Sequence, residues 1–198
     1  MPTSSQKNSR IESFSSDRIR KTLAGLPLKQ RTPAEHRKSL YSPEMSIKTY
    51  EKLQSVGIER LEDGKNVIMD ATFSSREIRS RVVEMLEEKK FNYVFIEAQA
   101  SDEIIQKRLK ERDHKQGLIS DARLEDFELL DKYYQPPQEI PPESLVEVNT
   151  GQPVDETLPK PLYSTGKSSF ERGRIAIYII YWTWHKNWKN VIVKGMMR

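Results

Sequence analysis

The feature that most constrains the fold is a set of short apolar runs in which apolar and polar residues do not alternate cleanly. Four of these runs are predicted strands: IESF (11–14), NVIM (66–69), YVFIEA (93–98) and LVEV (145–148). Such runs suit strands that are buried on both faces, as in a parallel sheet. Each run is separated from the next by a stretch with helical signals, which places helices against the sheet. The sequence therefore predicts a three-layer α/β sandwich around a parallel sheet.

Capping signals predict where the helices between these strands begin and end. Five helices are predicted: DRIRKTLAG (17–25), a helix from Pro43 to about Asp63, one opened by a Ser74-x-x-Glu77 capping box, one opened by Ser101, and one from about Ser120 to Tyr134. Ser42 followed by Pro43 has the form of an N-cap with proline at the first helical position. Within that helix, Ile47, Tyr50, Leu53 and Leu61 are predicted to share one buried face.

The positive charge of the chain is concentrated near its C-terminus. The formal net charge is +4, but residues 160–198 hold eight Lys and Arg against one acid, which leaves 25 bases and 28 acids in residues 1–159. A division follows into a body, 1–158, and a basic aromatic tail, 159–198. Within the tail, IAIYIIYWTW (175–184) is about half the length that a membrane-spanning helix needs. A hidden strand, an interfacial segment and an artefactual C-terminus all fit it better.

Composition also limits the chemistry. The chain has no cysteine, which excludes disulfides, thiolate catalysis and Cys-based zinc sites. The N-terminal stretch MPTSSQKNSRIESF has no apolar core of signal-peptide length, so we expect a cytoplasmic protein without a transmembrane segment.

Asp70 directly follows a buried strand in NVIMDATF (66–73). An acid in this position has the form of a Walker B element, whose carboxylate holds Mg²⁺ at the carboxyl end of the sheet. Taken alone, an Asp that closes a strand is more often a helix cap or a turn residue.

Asp17 follows another predicted strand, and Arg20 lies one helical turn beyond it. A carboxylate there can accept a proton from a hydroxyl, and an arginine can bind a phosphate with two parallel hydrogen bonds. The alternative is an N-cap Asp beside a solvated Arg.

Arg108 and Arg112 are four residues apart and therefore share one face of a predicted helix. Arginines on a mobile lid can neutralise the charge of a transferred phosphoryl group. The alternative is a solvated helix face, because KRLKERDHK is rich in charges of both signs.

These elements together resemble a known family. The stretches SSDRIRKTLAG, LYSPEMSIKTY, GKNVIMDATFSSREIRSR, RLKER, SDARLEDFELL and EVNTGQPVDET are similar to the P-loop kinase-like AAA family ATPase module. That module is related to polynucleotide-kinase-like, zeta-toxin-like and gluconate-kinase-like enzymes, and it is often fused to an aminoglycoside-phosphotransferase-like domain. The resemblance covers about residues 10–158.

The resemblance implies an ATP-dependent phosphotransferase that transfers the γ-phosphoryl group to a hydroxyl of a small molecule or nucleotide, with ATP and Mg²⁺ as cofactors. Asp17 would be the general base, Arg20 would bind the acceptor side, and Asp70 would be the magnesium acid. The remaining implied site residues are Thr72 with Arg76 or Arg79 at the acceptor cleft, Arg108 and Arg112 in the lid, and Thr150 and Gly151 near the nucleotide base.

The sequence departs from the family in its phosphate-binding loop. The family opens with a strand, a GxxxxGK[ST] loop and a helix, which need about 30 residues, whereas only ten residues precede IESF. Gly166-Lys167-Ser168 lacks the first glycine of the motif, because residue 161 is proline. We therefore expect the first strand and the P-loop to be missing, and the chain to be without turnover.

The missing strand would leave a gap or an open edge beside NVIM and IESF, which predicts association through that edge unless the run 175–184 covers it. Two other function classes stay open. One is a nucleotide-fold protein that only binds a partner. The other is a nucleic-acid-binding module that uses Trp182, Trp184, Trp188 and the lysines of the tail.

Overall fold

The sheet contains five strands, all of them parallel, in a computed structural model that describes residues 11–115, 117–151 and 176–182. The strands are β1 (Glu12–Ser15), β2 (Val67–Ala71), β3 (Asn92–Gln99), β4 (Leu145–Asn149) and β5 (Ala176–Trp182). The four predicted strands are confirmed with boundaries shifted by one or two residues. The parallel α/β prediction is confirmed as well.

The strand order across the sheet is β1-β2-β5-β3-β4, so β5, the last of the described strands, occupies the central position. Residues 177–181 of β5 pair with 67–71 of β2, and residues 176–182 pair with 92–98 of β3. No direct pairing joins β2 to β3 among the described residues, because β5 lies between them. Of the three alternatives for the run 175–184, the hidden strand is therefore the one that the structure has, at Ala176–Trp182. It pairs with β2 on the side away from β1, and β1 keeps an edge position in the described sheet.

Helices provide the long connections that parallel strands require. The helices are α1 (Ser16–Leu23), α2 (Ala34–Leu40), α3 (Pro43–Glu62), α4 (Arg76–Glu88), α5 (Asp102–Asp113) and α6 (Phe127–Lys132), with one-turn 3-10 helices at Leu124–Asp126 and Pro142–Ser144. The first three connect β1 to β2, α4 connects β2 to β3, and the last two α-helices connect β3 to β4. None of the helices in the described ranges is long and apolar enough to cross a membrane.

The main hydrophobic core lies between one face of the sheet and the helices α3 and α4. Its members come from four elements and include Leu53, Leu61, Val67, Met69, Val82, Leu86 and Phe95, each at most 1% exposed. Alternation along β2 puts Val67, Met69 and Ala71 on this face, so Ile68 and Asp70 face the other way. The core therefore fixes which side of the sheet Asp70 faces.

The helix signals were mostly right, with four differences. Ser42 caps α3 as predicted, because its Oγ accepts a hydrogen bond from the Met45 amide at 3.2 Å. Helix α4 begins one residue later than the Ser74 box predicted, and its N-cap Ser75 makes no side-chain capping bond. Ile47 is half exposed, because the buried face of α3 starts only at Thr49. The fifth predicted helix is shortened to a 3-10 turn followed by α6, and α2 was not predicted.

Candidate functional site

The carboxyl ends of the strands bring most of the predicted site residues to one edge of the sheet. Ser15 at the end of β1 is in register with Asp70 in β2, and Gln99 of β3 is in register with Asn149 of β4. Asp17 lies two residues after Ser15, and Thr72 lies two residues after Asp70. Open parallel α/β sheets bind their ligands outside this edge. It is the candidate site.

Asp17 lies in the first turn of α1, where the helix N-terminus favours a negative charge. Burial raises the pKa of the Tyr50 hydroxyl, and the charge of Asp17 adds to the rise. Burial lowers the pKa of the Arg112 guanidinium, and Asp17 offsets part of that effect. Tyr50 from α3 and Arg112 from α5 therefore lie within the electrostatic range of the same carboxylate.

Arg20 is buried, at 7% exposure, and it holds the segment between α2 and α3 in place. Its Nη1 donates to the Leu40 carbonyl at 3.0 Å and to the Ser46 hydroxyl at 3.1 Å. Its guanidinium carbon lies 4.9 Å from the centre of the Tyr41 ring, which is a cation–π distance. Arg20 is thus next to Asp17 on α1 but already engaged by the protein.

Thr72 is positioned by Tyr50, a residue that the sequence indicated only as part of the core. The Tyr50 hydroxyl is 3.1 Å from the Thr72 hydroxyl and accepts a hydrogen bond from the Phe73 amide at 3.1 Å. Phe73 has a positive φ of 40° although it is not glycine, which is a strained conformation that clusters at ligand sites. A buried tyrosine needs a partner for its hydroxyl. The predicted burial of Tyr50 was therefore the sequence signal that its hydroxyl contacts another polar group.

Arg79 and Arg76 are placed differently from each other. Arg79 is completely buried, and its guanidinium donates to both carboxylate oxygens of Glu139, to the Phe73 carbonyl at 2.8 Å and to the Pro136 carbonyl at 3.2 Å. It fastens the proline-rich connection to α4. The side chain of Arg76 is 66% exposed and lies 3.9 Å from Glu139. Arg79 therefore lies buried beside Phe73, the neighbour of Thr72, whereas Arg76 lies at the surface.

Arg108 and Arg112 also have different surroundings, although both lie on α5. Arg108 donates to the Thr150 hydroxyl at 3.2 Å and to the Thr150 carbonyl at 2.7 Å, and the Thr150 hydroxyl donates to the Gln99 carbonyl at 2.8 Å. These bonds hold α5 against the ends of β3 and β4. A Cβ on Gly151 would come within 3.0 Å of Ile104, so the absence of a side chain allows this close approach.

A cavity of about 600 Å³ lies beside Arg112, between residues 27–31 on one side and residues 112–115 and 117–120 on the other. Its lining includes Lys29, Arg31, Arg112 and Lys115. The loops that form its walls were not predicted as a site, because no motif marks them.

The walls of this cavity are joined by a buried ion pair. Lys21 Nζ lies 3.1 Å from Asp121 Oδ1, and both side chains are at most 2% exposed. Asp121 also accepts hydrogen bonds from the amide and hydroxyl of Thr32. Burial alone raises the pKa of Asp121, but the bonds from Thr32 and Lys21 outweigh it and hold that pKa below its usual range. The sequence did not indicate this pair.

Asp70 is half-buried at the edge of the sheet. No group of three or more acidic or histidine side chains converges within the described part of the chain. A single carboxylate nevertheless fits Mg²⁺, which keeps several of its waters and uses one or two protein carboxylates together with substrate phosphates.

A family model described as an AAA domain matches residues 4–137. The match covers about two thirds of the 198-residue sequence and includes Asp17, Asp70 and Arg112. No curated protein and no solved structure matches the chain.

Proposed function

The chain belongs to the AAA domain family of P-loop kinase-like proteins, and from this premise we propose that it derives from an ATP-dependent phosphotransferase whose acceptor site surrounds Asp17. The observation that carries the proposal is the charge of Asp17 acting on both Tyr50 and Arg112 at the carboxyl edge of the sheet. A base and a buried cation brought together from different elements are what in-line transfer to a hydroxyl needs.

Each side chain has a defined task in this proposal. Asp17 accepts the proton of the acceptor hydroxyl, and its place in the first turn of α1 puts it where a helix N-terminus favours negative charge. Arg20 fixes the loop over the acceptor side through Leu40 and Ser46. Arg112 neutralises negative charge near the reacting hydroxyl. Thr72, oriented by Tyr50, supplies a hydroxyl at the same edge.

Asp70 would hold Mg²⁺ through its carboxylate, directly or through a water. The ion, when bound, neutralises charge on the phosphates of ATP. Thr150 is engaged by Arg108 and Gln99, so in this proposal it shapes the nucleotide side instead of bonding directly to the base. Arg79 and Arg76 have no task in transfer.

The phosphate-binding loop is the part that the 198 residues do not supply. The sequence contains no GxxxxGK[ST] motif, and such a loop provides most contacts to the β- and γ-phosphates. Loss of one preorganised donor costs about a hundredfold or more in rate. We therefore expect this chain to bind ATP weakly and to show no measurable turnover.

The test of the proposal is binding of ATP by the purified chain with and without Mg²⁺, measured by calorimetry. We expect Mg²⁺ to strengthen binding and Asp70→Asn to abolish that gain. Asp63→Asn is the matched control, because this exposed acid follows α3 at the opposite edge of the sheet. An ATP affinity that does not change with Mg²⁺, or with Asp70→Asn, would refute the magnesium assignment. ATP turnover that is abolished by Asp70→Ala would refute the expectation that the chain has no measurable turnover.

A further inference from the structure

We propose that the cavity between residues 27–31 and residues 112–115 and 117–120 binds a phosphate monoester group carried by the acceptor, with Arg112 as its principal ligand. This inference rests on the proposed function, because it names the class of acceptor that Asp17 would serve: a phosphorylated sugar or a nucleotide with a free hydroxyl.

Arg112 is the first support. The residue is 9% exposed and lines the cavity. In the described part of the chain its guanidinium makes no hydrogen bond and no ion pair within 4.0 Å, and only the longer-range charges of Asp17, Asp113 and Arg31 act on it. A guanidinium has five donors and is always charged, and among the described residues no nitrogen of Arg112 is both fully buried and unbonded, so its donors are accessible where it lines the cavity. The Arg112 donors that have no hydrogen-bond partner among the described residues can therefore bind an anion in the cavity.

The charges around the cavity are the second support. Among the described residues that line it, Asp113 is the one acid, and Arg31 donates both to its carboxylate and, at 3.2 Å, to its carbonyl. Lys29 and Lys115 remain as exposed cations beside Arg112. Three cations without a matched acid favour a ligand with two negative charges, as a phosphate monoester has near neutral pH.

The rigidity of the walls is the third support. The Lys21–Asp121 pair ties α1 to the loop after α5. Arg37 of α2 donates to both carboxylate oxygens of Asp126 at 2.6 Å and to the Asp121 carbonyl at 2.8 Å. These bonds fix both sides of the cavity before a ligand arrives, which lowers the entropy lost on binding.

The location of the cavity favours the acceptor over ATP. Its lining includes Arg112, which lies in the field of Asp17. It includes neither Asp70 nor Thr150, which the proposed function assigns to magnesium and to the nucleotide side. A phosphate bound to Arg112 would hold the rest of the acceptor beside Asp17, the proposed general base.

The experiment is calorimetric titration of the full chain without ATP or Mg²⁺. The probes are inorganic phosphate, ribose 5-phosphate against ribose, and adenosine 3′-monophosphate against adenosine. We expect only the phosphate-bearing member of each pair to bind, and Arg112→Gln to weaken it by about tenfold or more. Tighter binding of ribose 5-phosphate than of inorganic phosphate and the nucleotide indicates a sugar phosphate acceptor, and the reverse order indicates a nucleotide.

The matched control is Lys110→Gln, which removes the same charge from an exposed position on α5 that does not line the cavity. It should change binding less than twofold. Lys29→Gln is a second cavity variant on an exposed loop, which should weaken binding severalfold and keeps the test valid if Arg112→Gln does not fold.

Equal binding of the phosphorylated and unphosphorylated probes would overturn the proposal, as would equal effects of Lys110→Gln and Lys29→Gln. Competitive displacement of the phosphate probes by ATP would also overturn it, because the cavity would then belong to the phosphoryl donor. Phosphate binding that depends on Arg112, in a chain whose ATP binding ignores Mg²⁺ and Asp70, would support the cavity while refuting the proposed function.

Discussion

Asp121 shows what the protein does with a charge that it removes from water. Its carboxylate is matched by Lys21 and by two donors of Thr32. Lys21 in turn donates to the Gln30 carbonyl at 2.6 Å. Asp121→Asn leaves the Lys21 ammonium buried without a counter-charge, so we expect the free energy of unfolding to fall by about 3–5 kcal/mol. Glu77→Gln, which breaks the exposed pair with Arg81, should cost less than about 0.5 kcal/mol. Urea titrations of both variants measure this, and equal costs would contradict the expectation.

The same carboxylate gives a pH dependence with a definite sign. The folded state holds the pKa of Asp121 below its usual range, so the unfolded chain binds its proton more readily. The stabilisation is complete above the unfolded pKa of about 3.9 and is lost as the pH falls through the folded pKa. We expect the difference in unfolding free energy between the wild type and Asp121→Asn to shrink on acidification below about pH 4. A constant difference from pH 6 to pH 2.5 would be evidence against this linkage.

The residues that the sequence indicated and those that it missed differ in the range of their contacts. Asp17 and Asp70 were found because each follows a strand directly, which is a local pattern. The cavity, the Lys21–Asp121 pair and the contact of Tyr50 with Thr72 join residues that are 22 to 100 positions apart. Arg79 looked like Arg76 in the sequence, and the buried arginine is distinguished from the exposed one by its bonds to Glu139, Phe73 and Pro136. Single-sequence patterns carry no information on such pairs.

At the scale of elements, local chemistry predicted the α3 boundary best. Ser42 caps the helix, Pro43 begins it, and Gly64 follows it with a φ of 80°. We expect Ser42→Ala to lower the free energy of unfolding by about 0.5–2 kcal/mol, because the Met45 amide loses its acceptor. Ser75→Ala is the control, since the N-cap of α4 makes no side-chain capping bond and should lose only a few tenths of a kcal/mol. Chemical denaturation compares the two, and a larger loss for Ser75→Ala would be the contrary result.

At the scale of the whole molecule, β5 joins two halves of the sheet. The pair β1–β2 and the pair β3–β4 are connected within the sheet only through this strand in the described residues. Its apolar sequence was visible, but its partners were not, because the pairing spans more than 75 residues. Removing residues 160–198 to test the basic tail would therefore also remove the central strand.

A proline substitution in the middle of β5 tests whether this strand holds the two halves of the sheet together. Ile179 is in register with Met69 on one side and Phe95 on the other, and proline there removes a ladder hydrogen bond in a central strand. We expect Ile179→Pro to abolish cooperative thermal unfolding and to produce aggregates on size exclusion. Ile179→Val keeps the amide and the apolar character and should melt within a few degrees of the wild type. A cooperative melt for Ile179→Pro would show that the sheet closes without β5.

The central place of β5 also sets the order of events during biosynthesis. A ribosome completes β4 at Asn149 and reaches Ala176 only 27 residues later, a delay of about one to five seconds at ordinary elongation rates. During that interval β2 and β3 are already made, and each has an unpaired edge facing the slot that β5 will fill. The nascent chain therefore exposes two unpaired strand edges until β5 has been made, and exposed edges of this kind favour association with other chains.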